Sequence, residues 1–220
     1  MTTINAEKMS VVQVRQLFNY QLELKDISFA DLLSLEPLTE LETEEIKQIK
    51  NDFQEYLLTE KVTEGLVKAL TTFPLMRLAG FYRHPRKMSL EQSIAEIVIE
   101  DEDTTITGRF DILSVNKGEE IAPENPFWVL IIETKNSSIT ALTGLPQLLS
   151  YAYKSLQHQK AVWGLTTNGL HYQFVYMQQG NTPTYQLLPE INLMRAEGSI
   201  LLLQVLKAIC QLQRSQPETA

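Results

Sequence analysis

The sequence predicts an α/β fold in which a mixed β-sheet carries helices on both faces, and three observations point to it. Phe127–Ile132 is six consecutive apolar residues, the pattern of a short strand buried on both faces. Asn168-Gly169 is a two-residue hairpin signal between the apolar runs Ala161–Thr166 and Leu170–Met177. A helix-like stretch separates the central strand from that hairpin, and a helix placed between strands of one sheet acts as a crossover, which implies mixed strand directions.

From the N-terminus, residues 1–40 carry the least pattern. Val11–Phe18 alternates like a strand at first and then becomes ambiguous with helix, and Phe29–Leu38 is apolar up to Pro37. Thr39 with Glu42 three residues on has the spacing of a capping box. Thr43 is a second N-cap candidate, but Ile46 stands where the box needs Glu or Gln. Ile46, Ile49, Phe53, Tyr56 and Leu57 then recur at helical spacing. A second helix is expected over Thr63–Leu78, with Leu66, Val67, Leu70, Phe73 and Leu75 as its stripe, a break or kink at Pro74, and Gly80 as terminator.

Strands are expected at Glu91–Glu100, Thr104–Val115 and Phe127–Lys135, the last two joined by the polar, turn-forming segment Asn116–Pro126. Gly144 and Pro146 place the start of the next helix near Leu145, and it runs to about Gln157. After the hairpin come an edge strand at Tyr185–Leu188 and a helix over Ser199–Leu212, apolar at Leu202, Val205, Leu206 and Ile209. The order is helix, three-strand antiparallel meander, helix, hairpin, helix. It reads as one domain over 1–220: a helical elaboration (1–60), a core (61–178), and a closing strand and helix (179–220).

Composition bounds the function. Hydrophobic residues make up 44% and charged residues 21% of the 220, ordinary for a globular chain. No apolar run approaches the roughly 18 residues of a membrane span, and the N-terminus lacks the pattern of a secretory signal, so cytoplasmic residence without membrane contact is expected. One cysteine, Cys210, excludes an internal disulfide framework and a Cys-rich zinc site. His84, His158 and His171 have no metal-binding spacing, and neither GxSxG nor GxxxxGK[ST] occurs. The formal charge of −8 does not favour nucleic acid, whose phosphates are held largely by Lys and Arg. Two stretches are locally basic, Arg77–Lys87 (with Arg83, His84 and Arg86) and Lys154–Lys160. Solvated turns and helix faces account for them equally well.

The chemistry concentrates where the central strand ends. Side chains alternate along a strand, so Glu133 and Lys135 share one face and Thr134 takes the other. A carboxylate and an ammonium at the end of a buried strand are costly to desolvate unless paired. Asp111, in the strand-like run Thr104–Val115, is a second carboxylate. Two carboxylates and a lysine suit a hard divalent ion and a polarised water, the equipment of a metal-dependent phosphodiesterase. Gln147 and Tyr151 stand four apart on the following helix and share a face. Taken singly, each of these residues also fits an ordinary ion pair or an amphipathic helix.

Asp111 followed by Glu133-x-Lys135, with Gln147 and Tyr151 as a QxxxY element, resembles the PD-(D/E)xK nuclease superfamily. In particular it resembles the N-terminal nuclease domain of type I restriction enzyme R subunits, and EGLVKALTTFPLMRLAGFY (Glu64–Tyr82) resembles the helix that precedes the sheet there. The likeness spans Val62–Tyr176, with Phe110 where the superfamily motif has proline. It implies a restriction-endonuclease-like fold and DNA phosphodiester hydrolysis. Asp111, Glu133, Lys135, Gln147 and Tyr151 would be the catalytic group. Mg²⁺ or Mn²⁺ would be held by Asp111, Glu133 and the Thr134 backbone carbonyl, with Glu64 a further ligand or buttress. Lys135 would orient water or offset transition-state charge. Arg109 is expected to pair with a carboxylate or meet a phosphate. An R subunit couples its nuclease to an ATP-driven motor, and without a P-loop this chain reads as a stand-alone nuclease domain. Double-stranded DNA is the expected partner, and RNA, a homodimer, and a protein partner supplying specificity or a motor stay open. The rival reading is a non-catalytic nucleic-acid-binding or assembly module that keeps the same fold.

Overall fold

The computed structural model describes residues 2–91, 97–99, 104–117 and 127–212. In chain order its strands are β1 (Thr2–Asn5), β2 (Gln21–Leu22), β3 (Arg86–Leu90), β4 (Ile97–Ile99), β5 (Thr104–Thr107), β6 (Ile112–Asn116), β7 (Phe127–Thr134), β8 (Ala161–Thr167), β9 (His171–Gln178), β10 (Thr184–Leu187) and β11 (Ile191–Asn192). Its α-helices are α1 (Val11–Leu17), α2 (Glu40–Thr59), α3 (Glu64–Val67), α4 (Phe73–Ala79), α5 (Leu145–Leu156) and α6 (Ala196–Cys210).

An eight-stranded mixed sheet in the order β2-β10-β9-β8-β7-β6-β3, with β11 also on β9, is the frame. β7 pairs β8 in parallel, and α5 is the crossover that parallel neighbours require. β7 supplies both layers of the core. Ile132 packs with Phe53, Leu75, Leu165, Phe174 and Leu206 under α2, α4 and α6. Ile131 packs with Leu148, Leu149, Val162 and Val175 under α5, and Val14 of α1 belongs to the same cluster. Helices therefore cover both faces, and a strand buried on both faces has to be apolar without alternation. A register shift between Ser114 and Val115 leaves Val129 between paired residues, and Val129 then joins Leu130 in the α2/α4/α6 layer, as a bulge allows.

The helix ends follow local chemistry. Thr39 caps α2, with its hydroxyl accepting from the Glu42 amide and the Glu42 carboxylate accepting from the Thr39 amide. Val11–Leu17 resolves as helix because Ser10 and Gln13 form a second capping box. Over 64–79 the chain stays helical through Pro74, and the turn Lys68–Thr72 is π-helical. A proline inside a regular helix clashes with the carbonyl four residues back, and the wider turn just before Pro74 relieves that constraint. Gly80, at φ 100°, ends the helix.

Three expectations are corrected. Thr104–Val115 is not one strand. It breaks at Gly108–Asp111, so β5 joins β1 and β4 in a separate three-stranded sheet while β6 enters the large one. The break has a packing cause: a Cβ on Gly108 would stand 2.7 Å from the Tyr151 phenol oxygen, and that phenol donates to the Arg109 carbonyl. β6 pairs antiparallel with β7 as expected, but its outer antiparallel neighbour is β3, which periodicity did not mark, and Asp111 sits in a bend before β6 rather than mid-strand. The segment at 184–187 is not an edge strand, because β2 pairs with it in parallel on its outer side. Of the strand expected at Glu91–Glu100, only 97–99 falls within described strand, and residues 118–126 of the expected turn lie outside the described residues. Among the described residues no helix is long and apolar enough to cross a membrane.

Candidate active site

The carboxyl end of β7 is where the chemistry-bearing residues meet. Alternation continues past Ile132, so Glu133 and Lys135 turn toward α5 and Thr134 turns the other way. Gly144, just before α5, lies against Glu133, where a Cβ would be 3.1 Å from the Glu133 Cβ. The Lys135 ammonium donates to Gln147 Oε1 at 2.8 Å and stands 3.8 Å from Glu133 Oε2. Gln147 Nε2 lies 3.5 Å from the Tyr151 oxygen, at the long limit for a hydrogen bond. Tyr151 in turn donates to the Arg109 carbonyl at 3.1 Å. One helix face thus steadies Lys135 and anchors the bend that carries Asp111.

Asp111 is held from both sides. Its Oδ2 accepts from the Thr134 amide at 2.7 Å and the Thr134 hydroxyl at 2.6 Å. Its Oδ1 accepts from the ammonium of Lys68 at 2.9 Å. Lys68 was not among the candidates. It opens the π-helical turn, is 8% exposed, and also stands 3.1 Å from Glu64 and 3.6 Å from Glu91. Burial alone would lower its pKa, but Asp111 and then Glu64 outweigh that and raise it. The available signal was the Glu64–Lys68 spacing of four, which on a helix reads as an ordinary surface pair. Glu64 reaches Asp111 across this lysine. Arg109 pairs with Glu91 at 3.8 Å, both side chains more than half exposed. Arg86, from one of the basic stretches, donates to the carbonyls of Cys210 and Leu212 at the end of α6, so its charge is spent on structure.

Glu133 is different in kind. It is 1% exposed, and its Oε1 has no hydrogen-bond partner among the described residues. Burial first, and then the charge of Asp111, push its carboxyl well above the usual carboxylate range; Lys135, the Asp111 amide and Lys68 offset only part of this. Burial first, and then the Glu133 charge, also raise the Tyr151 phenol, so Tyr151 serves as a neutral donor.

Among the described residues no three Asp, Glu, His or Cys side chains gather as a ready metal cage. Mg²⁺, however, is commonly held by one or two carboxylates and keeps several waters. An orphaned buried carboxylate oxygen beside a second carboxylate fits a hard cation of that kind.

No protein-family model and no curated protein matches this chain. Among solved structures it is similar to the fragment structure of a protein named as an HsdR subunit of a type I restriction enzyme from Vibrio vulnificus YJ016, at 15% identity and a TM-score of 0.40. The likeness covers 66% of this chain and 26% of that one. This chain therefore spans about a quarter of that neighbour's length, and a likeness this low carries no argument about activity.

Proposed function

We propose that this chain is a metal-dependent PD-(D/E)xK-type nuclease hydrolysing phosphodiester bonds of DNA, double-stranded DNA first. The buried oxygen of Glu133 beside Asp111, which has no partner among the described residues, supports this most. A buried acceptor without a partner costs about 1–3 kcal/mol, more when charged, and a scaffold gains nothing from keeping it. Asp111, Glu133 and the Thr134 carbonyl are the proposed holders of Mg²⁺ or Mn²⁺, with Glu64 a further ligand or buttress. When bound, such an ion supplies Lewis acidity and a water of lowered pKa. Lys135, fixed by Gln147, offsets negative charge that builds on the phosphoryl oxygens. Tyr151 keeps Gln147 and the Asp111 bend in register, as a positioning residue.

One observation favours a second reading. Lys68 already neutralises Asp111, as it would in a non-catalytic nucleic-acid-binding or assembly module. A partner that brings specificity or a motor is compatible with either reading.

Cleavage of supercoiled plasmid and of linear double- and single-stranded DNA, with Mg²⁺ and with Mn²⁺, separates them. Wild type is expected to cut, and Lys135→Ala to cut at least about a hundredfold more slowly while losing at most about 1–2 kcal/mol of stability. Folded wild type that cuts none of these substrates selects the second reading. Equal cutting by both proteins removes Lys135 from the chemistry.

A further inference from the structure

We propose that Lys68 is the resident counter-cation of the carboxylate cluster and sets how strongly a divalent ion binds there. The inference rests on the metal-dependent reading of the site and adds a built-in control on metal occupancy.

The geometry leaves an incoming ion little choice. One oxygen of Asp111 is spent on the amide and hydroxyl of Thr134. The other is 2.9 Å from the Lys68 ammonium. An ion that reaches Asp111 must share that second oxygen with Lys68 or displace it. A unit positive charge about 4 Å from a divalent ion opposes its binding by about tenfold or more, even with protein-like screening. One oxygen of Glu133 has no partner among the described residues, so Lys68 does not satisfy it.

Lys68 also has somewhere to go. Glu64 Oε1 lies 3.1 Å and Glu91 Oε1 3.6 Å from its nitrogen, and their side chains are 42% and 55% exposed. A lysine carries its ammonium on a flexible four-carbon stem, so the charge can leave Asp111 and remain paired at the rim. The backbone does not have to move. The π turn is closed by the Phe73 amide on the Lys68 carbonyl, and Thr71 donates to the Val67 carbonyl at 2.8 Å. Single π turns inside helices recur at functional positions. This one sets a buried lysine at the carboxylates where an exposed helix lysine would point to solvent.

The test is a Mn²⁺ titration at fixed ionic strength, read by calorimetry and by the metal-induced rise in Tm, on wild type, Lys68→Met, Lys68→Arg and Asp111→Asn. Lys68→Met is expected to melt lower without metal, to bind Mn²⁺ at least about tenfold more tightly than wild type, and to show the larger rise in Tm. Lys68→Arg keeps the charge and is expected to bind close to wild type, which covers the case of a Met variant too unstable to titrate: tighter binding by Lys68→Arg overturns the proposal. Affinity in Lys68→Met equal to or weaker than wild type, with binding abolished in Asp111→Asn, overturns the role of Lys68 and leaves the metal site standing. Binding unchanged in Asp111→Asn, or absent from every protein, overturns the metal site and this inference with it.

Discussion

Glu42 and Glu133 are two glutamates in one fold with opposite surroundings. Glu42, in the first turn of α2, accepts from the Thr39 amide with one oxygen and pairs with Lys207 of α6 at 2.6 Å with the other. Burial works against its charge, but Lys207 and Thr39 outweigh that and its pKa falls below the ordinary value. Glu133 is more deeply buried, has one oxygen without a partner among the described residues, and is pushed the other way. A carboxylate whose partners all come from the fold ties two helices together. A carboxylate whose partners are incomplete is a site that a ligand or a proton completes. The same side chain thus serves stability in one place and weakens it in the other.

Substitution to the neutral isostere sharpens this contrast most. Glu133→Gln is expected to remove divalent-dependent cleavage by about a hundredfold or more, whereas Glu42→Gln leaves the rate unchanged. In metal-free protein at neutral pH the stability effects are expected to have opposite signs. Glu133→Gln raises stability by about 1–3 kcal/mol, because the desolvated carboxylate charge is removed while Lys135 keeps its hydrogen bond to Gln147. Denaturant unfolding of both variants checks this, and a loss of stability in Glu133→Gln breaks the contrast.

A second test reaches the site through packing. Gly108→Ala places a methyl 2.7 Å from the Tyr151 oxygen and forces apart the residues that position Asp111 and Lys135. A cost of about 1–3 kcal/mol is expected from the overpacking, with kcat falling further than that loss of folded protein explains. Stability and steady-state kinetics on the same preparation decide it. A variant that loses stability alone would place Tyr151 purely in the scaffold.

Stability against pH, measured on metal-free protein, separates the two glutamates by direction. A carboxyl whose folded pKa is raised binds more protons when folded, so its contribution falls as pH rises from about 4.5, the ordinary glutamate value, through the folded pKa. One whose folded pKa is lowered contributes above about 4.5, and that contribution is lost as pH falls through the folded pKa. Glu133→Gln should flatten the decline on the neutral side, and Glu42→Gln the acid limb. The smallest effect expected is the stability lost in Glu42→Gln, about 1 kcal/mol for a capping box and a partly exposed ion pair, read as a lower Tm.

Much of the frame was legible because its signals are local. The capping box Thr39–Glu42 started α2 where its spacing indicated, the Asn168-Gly169 turn joined β8 to β9, and the apolar run at Phe127 became the strand buried on both faces. The division of 104–115 between two sheets was not legible. It depends on Tyr151, 42 residues from Arg109 along the chain, lying over a glycine. The role of Lys68 was illegible for the same reason, since its partner Asp111 is 43 residues away while its local pairing with Glu64 looks like routine helix-surface chemistry.

Period, caps and turns act over a few residues, so the sequence shows the apolar faces, the starts of β5, β7, β8, β9, β10, α2 and α5, and the shared side of Glu133 and Lys135 at the end of β7. Only the tertiary structure decided which carboxylate is satisfied and which is not. That depends on what burial brings within hydrogen-bond reach. Thr134 and Lys68 close around Asp111 while one oxygen of Glu133 has no partner among the described residues. The cost of that difference arises when water is removed from around the charges, which happens as the chain packs.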